Sequence, residues 1–242
     1  MGVVLWARHG QNEANLSLTL SHRTYDRDLT ELGRQQAEAL GAALASSFAV
    51  VGAAGSGEAA GPGDRVALVA SSPLKRARQT ASIVATRLGL PVDPVLEDLR
   101  ELNVGSLDGR ADPQAWERYE QVLAAWQHGD ALAHFPDGEN LDELCLRLRR
   151  AITEVDRLAA AASGGSSGAG ATGGGVGGVG LIVAHGGNLR AALPALTGAP
   201  APDADLPTGG YATLRVTPDL DLEPASGQAA AKIELLTWST PR

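Results

Sequence analysis

Val3-Val4-Leu5-Trp6-Ala7-Arg8-His9-Gly10-Gln11 decides the fold. Its opening run is short, uninterrupted and built of β-branched or large apolar residues, so it reads as a buried strand. Arg8, His9 and Gly10 then fall where that strand stops and the chain turns. In an open α/β sheet, ligands bind in the crevice beyond the strand C-termini. A guanidinium, an imidazole and a flexible Gly at such a point suggest chemistry on an anion. Far along the chain Val183-Ala184-His185-Gly186-Gly187 repeats the arrangement. Two strand-end histidines, each followed by Gly, are harder to explain by packing than one.

Working outward, strand and helix signals alternate. Thr30 is a candidate N-cap for a helix reaching about Phe48, with Ala37, Leu40, Leu44 and Phe48 on one stripe. Val66–Val69 reads as a second strand. Ser72-Pro73 then predicts a helix start with Ser as N-cap and Pro in the first helical position, and Gly89 closes that helix. A helix is expected between Pro113 and Gln127. Asn140, with Glu143 three residues on, predicts a capping box ahead of the stripe Leu141, Leu144, Leu148, Ile152 and Val155. Leu181–Val183 is a third strand, followed by a helix from about Gly187 to Leu196. Tyr211–Val216 and Ile233–Trp238 read as two more strands. This alternation implies βαβ units, a mostly parallel central sheet and helices on both faces, a three-layer αβα architecture. The Gly/Ala-rich stretches near 52–63 and 163–180 lack periodicity and read as flexible surface insertions.

The chain has 242 residues, which suits one α/β domain spanning 1–242. Hydrophobic residues make up 44% and aromatics only 4%, so aliphatic residues and Ala must fill the core. Net charge is −8, and of the 20 basic residues only Lys75 and Lys232 are lysines. An acidic chain with no basic run is a poor nucleic-acid binder, so any anion site must be a local cluster. Cys145 stands alone, which excludes an internal disulfide and a thiolate metal cluster. No apolar stretch approaches the roughly 20 residues of a membrane span. Val3 already belongs to the first strand, leaving no room for a signal peptide. A cytoplasmic protein is expected, and a homodimer is common for α/β enzymes of this size.

Two further segments carry chemistry. Ser71-Ser72-Pro73-Leu74-Lys75-Arg76-Ala77-Arg78-Gln79-Thr80 puts cations at a helix N-terminus, whose free N–H groups and dipole favour anions. Arg76 and Thr80 share a helical face and Arg78 points elsewhere. A solvated basic turn would read the same way. In Leu99-Arg100-Glu101-Leu102-Asn103-Val104-Gly105, Glu101 sits between apolar residues. A carboxyl partly withdrawn from water holds its proton more tightly and can act as a general acid, although a surface-loop carboxylate is the plainer reading.

Taken in order, Arg8-His9-Gly10, Ser72-Pro73-Leu74-x-Arg76-Ala77-x-Gln79-Thr80, Leu99-Arg100-Glu101 with Gly105 and Gly109, and Ala184-His185-Gly186-Gly187 resemble the histidine phosphatase superfamily, the phosphoglycerate mutase-like family. Leu29-Thr30-x-x-Gly33-x-x-Gln36-Ala37 and Pro136-x-Gly138-Glu139 also fit, so the likeness spans residues 1 to about 198. The resemblance implies that His9 is a nucleophile that becomes a phosphohistidine. It implies that Arg8, Asn15, Arg76 and His185 bind the phosphoryl group, His185 as an imidazolium. Glu101 would protonate the leaving alkoxide and later deprotonate water. It implies neither cofactor nor metal, and two Arg beside a divalent ion would repel it.

The sequence departs from that pattern in places. Asn12 stands where the family often has Thr or Ser. In the cofactor-dependent mutases an aromatic–Gly pair and further basic residues follow the acidic residue. Here Leu102-Asn103-Val104-Gly105 follows, and the next Arg pair is Arg149-Arg150, near the exposed side of a long helix. The chain therefore looks like a phosphomonoester hydrolase acting on a small phosphorylated metabolite. The alternatives are a phosphoglycerate mutase and a non-catalytic phospholigand-binding domain. His22 and Arg23 are candidates for a second anionic group of the substrate, unless they form a solvated turn. Trp116, Tyr119 and Trp126 share a helix face and make either a substrate lid or core packing. His128 and His134 read as surface residues.

Overall fold

A computed structural model describes residues 2–50, 65–163, 178–200, 206–218 and 231–239. In chain order the elements are β1 (Gly2–Arg8), α1 (Glu13–Leu16), α2 (Glu31–Ser47), β2 (Ala49–Val50), β3 (Arg65–Ser71), α3 (Lys75–Leu88), β4 (Val92–Val95), α4 (Pro113–Gln127), α5 (Leu141–Ala162), β5 (Gly178–Ala184), α6 (Gly186–Thr197), β6 (Tyr211–Pro218) and β7 (Ala231–Ser239). One sheet runs β2-β3-β5-β1-β6-β7, with β4 also along β3. Strands β1 to β5 pair in parallel, while β6 and β7 add an antiparallel edge.

Period-two alternation along the strands sorts the core into two layers. Leu5 and Ala7 of β1 and Leu181 and Val183 of β5 pack with Leu40 and Leu44 of α2 and Ala77, Ala81 and Val84 of α3. Val4, Trp6, Ile182 and Ala184 point the other way, into Leu144, Leu148 and Ile152 of α5 and Leu189 of α6. The fold is the expected three-layer αβα. The α5 stripe is fully inward, and each of its large side chains contributes roughly 1.5–3 kcal/mol on burial.

Two local expectations change. The helix after β3 begins at Lys75, with Leu74 as N-cap, and not at Ser72-Pro73. The Asp26 carboxylate accepts from the Lys75 backbone N–H (2.9 Å) and caps that end. Ser72 Oγ is within 2.8 Å of His185 Nε2. The segment expected to be a flexible insertion over 163–180 ends earlier, because Gly178–Gly180 open β5. Its remainder, 164–177, lies outside the described residues, as does 52–63. Gly180 is required by close packing: a Cβ there would fall 2.5 Å from Val155 Cγ1 of α5.

Gly180→Val is therefore expected to overpack the α5–β5 contact and cost about 1–3 kcal/mol. Urea unfolding should show a lower midpoint with an unchanged slope. An unchanged midpoint would contradict this seating of α5.

Candidate active site

Three adjacent parallel strands end together. Arg8 of β1 is level with Ala184 of β5, and Ser71 of β3 with Val183. Main-chain bonds carry the ladder one residue further, from His9 N–H to the Ala184 carbonyl (2.9 Å) and from Ser72 N–H to the Val183 carbonyl (3.0 Å). This brings His9, Ser72 and His185 to one crevice, all buried. The two imidazole centroids lie 5.2 Å apart.

His9 Nδ1 is 2.6 Å from the Gly10 carbonyl. A carbonyl only accepts, so Nδ1 carries the proton and Nε2 presents its lone pair. Gly10 must be Gly, since a Cβ would fall 2.2 Å from the Gly33 carbonyl oxygen. Arg76 Nε donates to His9 Nε2 at 3.1 Å. The same guanidinium donates to Ser21 Oγ (3.1 Å) and to the Ser21 carbonyl (2.8 Å), and pairs with Asp26 at 3.6 Å. Thr80 ties strand end to helix, donating to the Arg76 carbonyl (2.8 Å) and accepting from Gly10 N–H (3.0 Å).

Burial, then Arg76 and Arg8, push the His9 pKa well below the ordinary imidazole value of 6.5. Burial and Arg76 do the same to His185. Both rings are thus neutral at pH 7 in the ligand-free protein; among the described residues no carboxylate hydrogen-bonds to the His185 ring, so an imidazolium there would depend on a bound anion. His185 can still donate. Its Nε2 shares a hydrogen bond with the Ser72 hydroxyl (2.8 Å), and its Nδ1 has no partner among the described residues.

Arg8 Nη1 donates to the Leu206 carbonyl (2.6 Å). Its Nε, Asn12 Nδ2 and His185 Nδ1 are buried without a protein partner. Buried polar atoms are normally paired, and two of these three are obligate donors, so the arrangement suits an acceptor-rich anion. Arg8, His9, Asn12, Asn15 and Arg76 line one cleft of about 210 Å³. Asn15 reaches it with its Oδ1 already bonded to Asn12 N–H (3.0 Å), the reciprocal half of the capping box of α1. Asn12, with a free Nδ2, is the better-placed donor of the two.

Glu101 also lines the cleft. Its Oε1 accepts from the N–H groups of Asn188 (2.7 Å) and Leu102 (3.0 Å), and its Oε2 from Gly187 N–H at 3.4 Å. It thereby caps α6, whose N-cap residue His185 supplies no side-chain bond. Gly187 leaves it space, since a Cβ there would lie 2.9 Å from Oε1.

His22 lines the cleft and is buried, unlike a residue of a solvated turn. Burial outweighs the nearby Glu101 carbonyl and lowers its pKa to about 4. Its Nε2 accepts from Arg23 Nε (3.0 Å), and Arg23 is exposed and off the cleft wall. The aromatic face divides: Trp126 is core, edge-on to Phe135, while Trp116 and Tyr119 form a cleft wall. Arg78, His128 and His134 are exposed. Asp26 and Arg190 were not singled out from the sequence. Arg190 was findable, because it stands three and four residues beyond Gly187 and Gly186 on a helix that starts at the site. Among the described residues no cluster of three or more His, Cys, Asp or Glu is arranged to hold a metal ion. No described helix is long and apolar enough to cross a membrane.

Comparison with known proteins gives a consistent picture. The family model described as histidine phosphatase superfamily (branch 1) matches residues 4–219. A curated relative, probable phosphoglycerate mutase GpmB of Yersinia pestis (strain Pestoides F), is 28% identical over 200 residues, 82% of this chain and 76% of its own. Among solved structures, the mycobacterial glucosyl-3-phosphoglycerate phosphatase is 26% identical with a TM-score of 0.64, covering 88% of this chain and 89% of that one. A protein named mycobacterial hydrolase 1 shares the fold over 100% of both chains, with a TM-score of 0.71 and 24% identity.

The lowered imidazole pKa values set two expectations. An NMR titration of the ligand-free protein should show His9 and His185 still neutral as pH falls through 6.5. The unfolded chain then binds more protons than the native one, so stability should decline below about pH 6.5. A His9 ring that protonates at or above 6.5 would contradict the burial account.

Proposed function

Because the chain belongs to branch 1 of the histidine phosphatase superfamily, we propose that it hydrolyses a small phosphomonoester through a phosphohistidine on His9. The observation that carries this reading is the tautomer set by the Gly10 carbonyl, which leaves Nε2 of His9 unprotonated beside a cleft lined by Arg8, Asn12 and Arg76; in the ligand-free protein that lone pair accepts from Arg76 Nε, a donor that an entering phosphoryl oxygen would take over. A neutral imidazole nitrogen is a competent nucleophile. Phosphoryl transfer needs positioning and neutralised equatorial oxygens more than covalent chemistry. Arg8, Arg76 and Asn12 supply donors for those oxygens, with Asn15 beside them and His185 next to the His9 ring.

In the first step a P–N bond forms to His9 Nε2 as the P–O bond to the leaving group breaks. A proton from Glu101 goes to the departing oxygen. Among the described residues Oε2 of Glu101 meets a single long hydrogen bond, from Gly187 N–H, and is the oxygen better placed to carry that proton. In the second step Glu101 takes a proton from water, the water oxygen bonds to phosphorus, and the P–N bond breaks to return free His9.

The mutase name of the Yersinia relative keeps phosphoryl return to a phosphoglycerate as the second reading. A mutase must hold a second anionic group beside the first. The Arg149-Arg150 pair is engaged elsewhere, Arg150 with Asp98 (3.0 Å) and Arg149 with the Ala231 carbonyl. Glu120 and Arg190 both stand on the cleft wall, so that wall carries charge of both signs and no surplus of cations for a second anion. These placements favour hydrolysis.

With EDTA present, His9→Ala should abolish phosphate release from a phosphomonoester panel while binding of inorganic phosphate persists. Release that survives the substitution would overturn the reading. Phosphate passed to a monophosphoglycerate in preference to water would favour the mutase. Trp116→Ala should raise KM for ring-bearing esters about 5–10-fold, as expected for one lost aromatic contact, with inhibition by inorganic phosphate unchanged. Equal change in both would remove Trp116 from leaving-group recognition.

A further inference from the structure

The segment bearing Glu101 has no regular structure to hold it. A 3-10 turn covers Glu97–Leu99 and a second covers Gly105–Leu107, and the residues between them belong to no helix or strand. Leu99, Leu102 and Val104 are anchored in the core. The backbone of this segment belongs to no sheet ladder, so its carbonyls need other donors.

One side chain supplies donors to three carbonyls. Arg147 of α5 donates from Nη1 to the carbonyls of Asp98 (2.7 Å) and Arg100 (2.8 Å), and from Nη2 to the carbonyl of Glu101 (3.2 Å). Its side chain is 13% exposed, and its charge is met by Glu139, 8% exposed, through Nε to Oε2 (2.9 Å) and Nη2 to Oε1 (2.7 Å). Glu139 grips the same segment, its Oε1 accepting from Asn103 N–H (2.7 Å) and its own N–H donating to the Asn103 carbonyl (2.9 Å). From the other side Asn188 Nδ2 donates to the Arg100 carbonyl (3.0 Å), while its backbone N–H holds the Glu101 carboxylate.

We propose that the buried Arg147–Glu139 pair is a positioning device for Glu101, setting the proton-transfer geometry of the reaction without touching substrate. A fork is needed because three carbonyls and a carboxylate must be met at once, and an ammonium on a flexible stem cannot reproduce that. The inference rests on the general-acid role given above to Glu101.

The leaving group tells positioning from general structural damage. An activated aryl ester such as p-nitrophenyl phosphate expels its leaving group without a proton, whereas glycerol phosphate needs one. kcat/KM reports events up to leaving-group departure, so it isolates that proton. Arg147→Lys should lower kcat/KM on glycerol phosphate by about 10–100-fold, a large part of what general acid catalysis supplies, and on p-nitrophenyl phosphate by less than about 3-fold. Glu139→Gln should show the same asymmetry, and Glu101→Gln a larger one. Equal losses on both esters in Arg147→Lys and Glu139→Gln, or none, with Glu101→Gln still asymmetric, would overturn the positioning role alone. Equal losses in Glu101→Gln would remove the general-acid assignment and the positioning role with it.

Discussion

The site depends on the register of three neighbouring parallel strands. β3, β5 and β1 lie side by side and stop at the same level, and main-chain bonds to β5 run one residue past the ends of β1 and β3. A shift of one residue in any strand would turn His9, Ser72 or His185 to the opposite face. Register in turn is held by apolar residues that alternate between two helical layers. The packing of α2, α3, α5 and α6 and the placing of the reactive groups are thus one constraint.

That constraint has an electrostatic consequence. Strand ends covered on both faces are dry, and a dry imidazole beside two guanidinium groups gives up its proton. His9 is then nucleophilic at neutral pH with no carboxylate partner, its orientation set by the Gly10 carbonyl. The cations that depress its pKa also favour a phosphoryl group. Each is steadied by a different part of the chain: Arg76 by Ser21 and Asp26, Arg8 by the Leu206 carbonyl.

Much of this was legible in the sequence because it is local. Strand-end His-Gly pairs, the Thr30 and Asn140 caps and the α5 stripe are written within a few residues, and they appear as expected. Elements supported only by distant partners were not legible. β2 and β4 exist by pairing along β3, and β4 carries Pro94, which argues against a strand when read alone. The burial of His22 depends on Asp108, which accepts from the backbone N–H groups of His22 (2.6 Å), Arg23 (3.1 Å) and Thr24 (2.7 Å) and folds that turn inward. The start of α3 was misplaced because Asp26, far back in the chain, caps it. The burial of the His185 ring was not legible either, because it depends on elements far apart in the chain.

The central claim is that His9 attacks through Nε2 because Gly10 holds Nδ1. The most direct measurement is to quench the enzyme during turnover under alkaline conditions, where a phosphohistidine survives, and to locate the phosphoryl group by NMR and peptide mass spectrometry. The account predicts a single phosphoramidate on Nε2 of His9. A phosphoryl group on Nδ1, on another residue, or on none would contradict it.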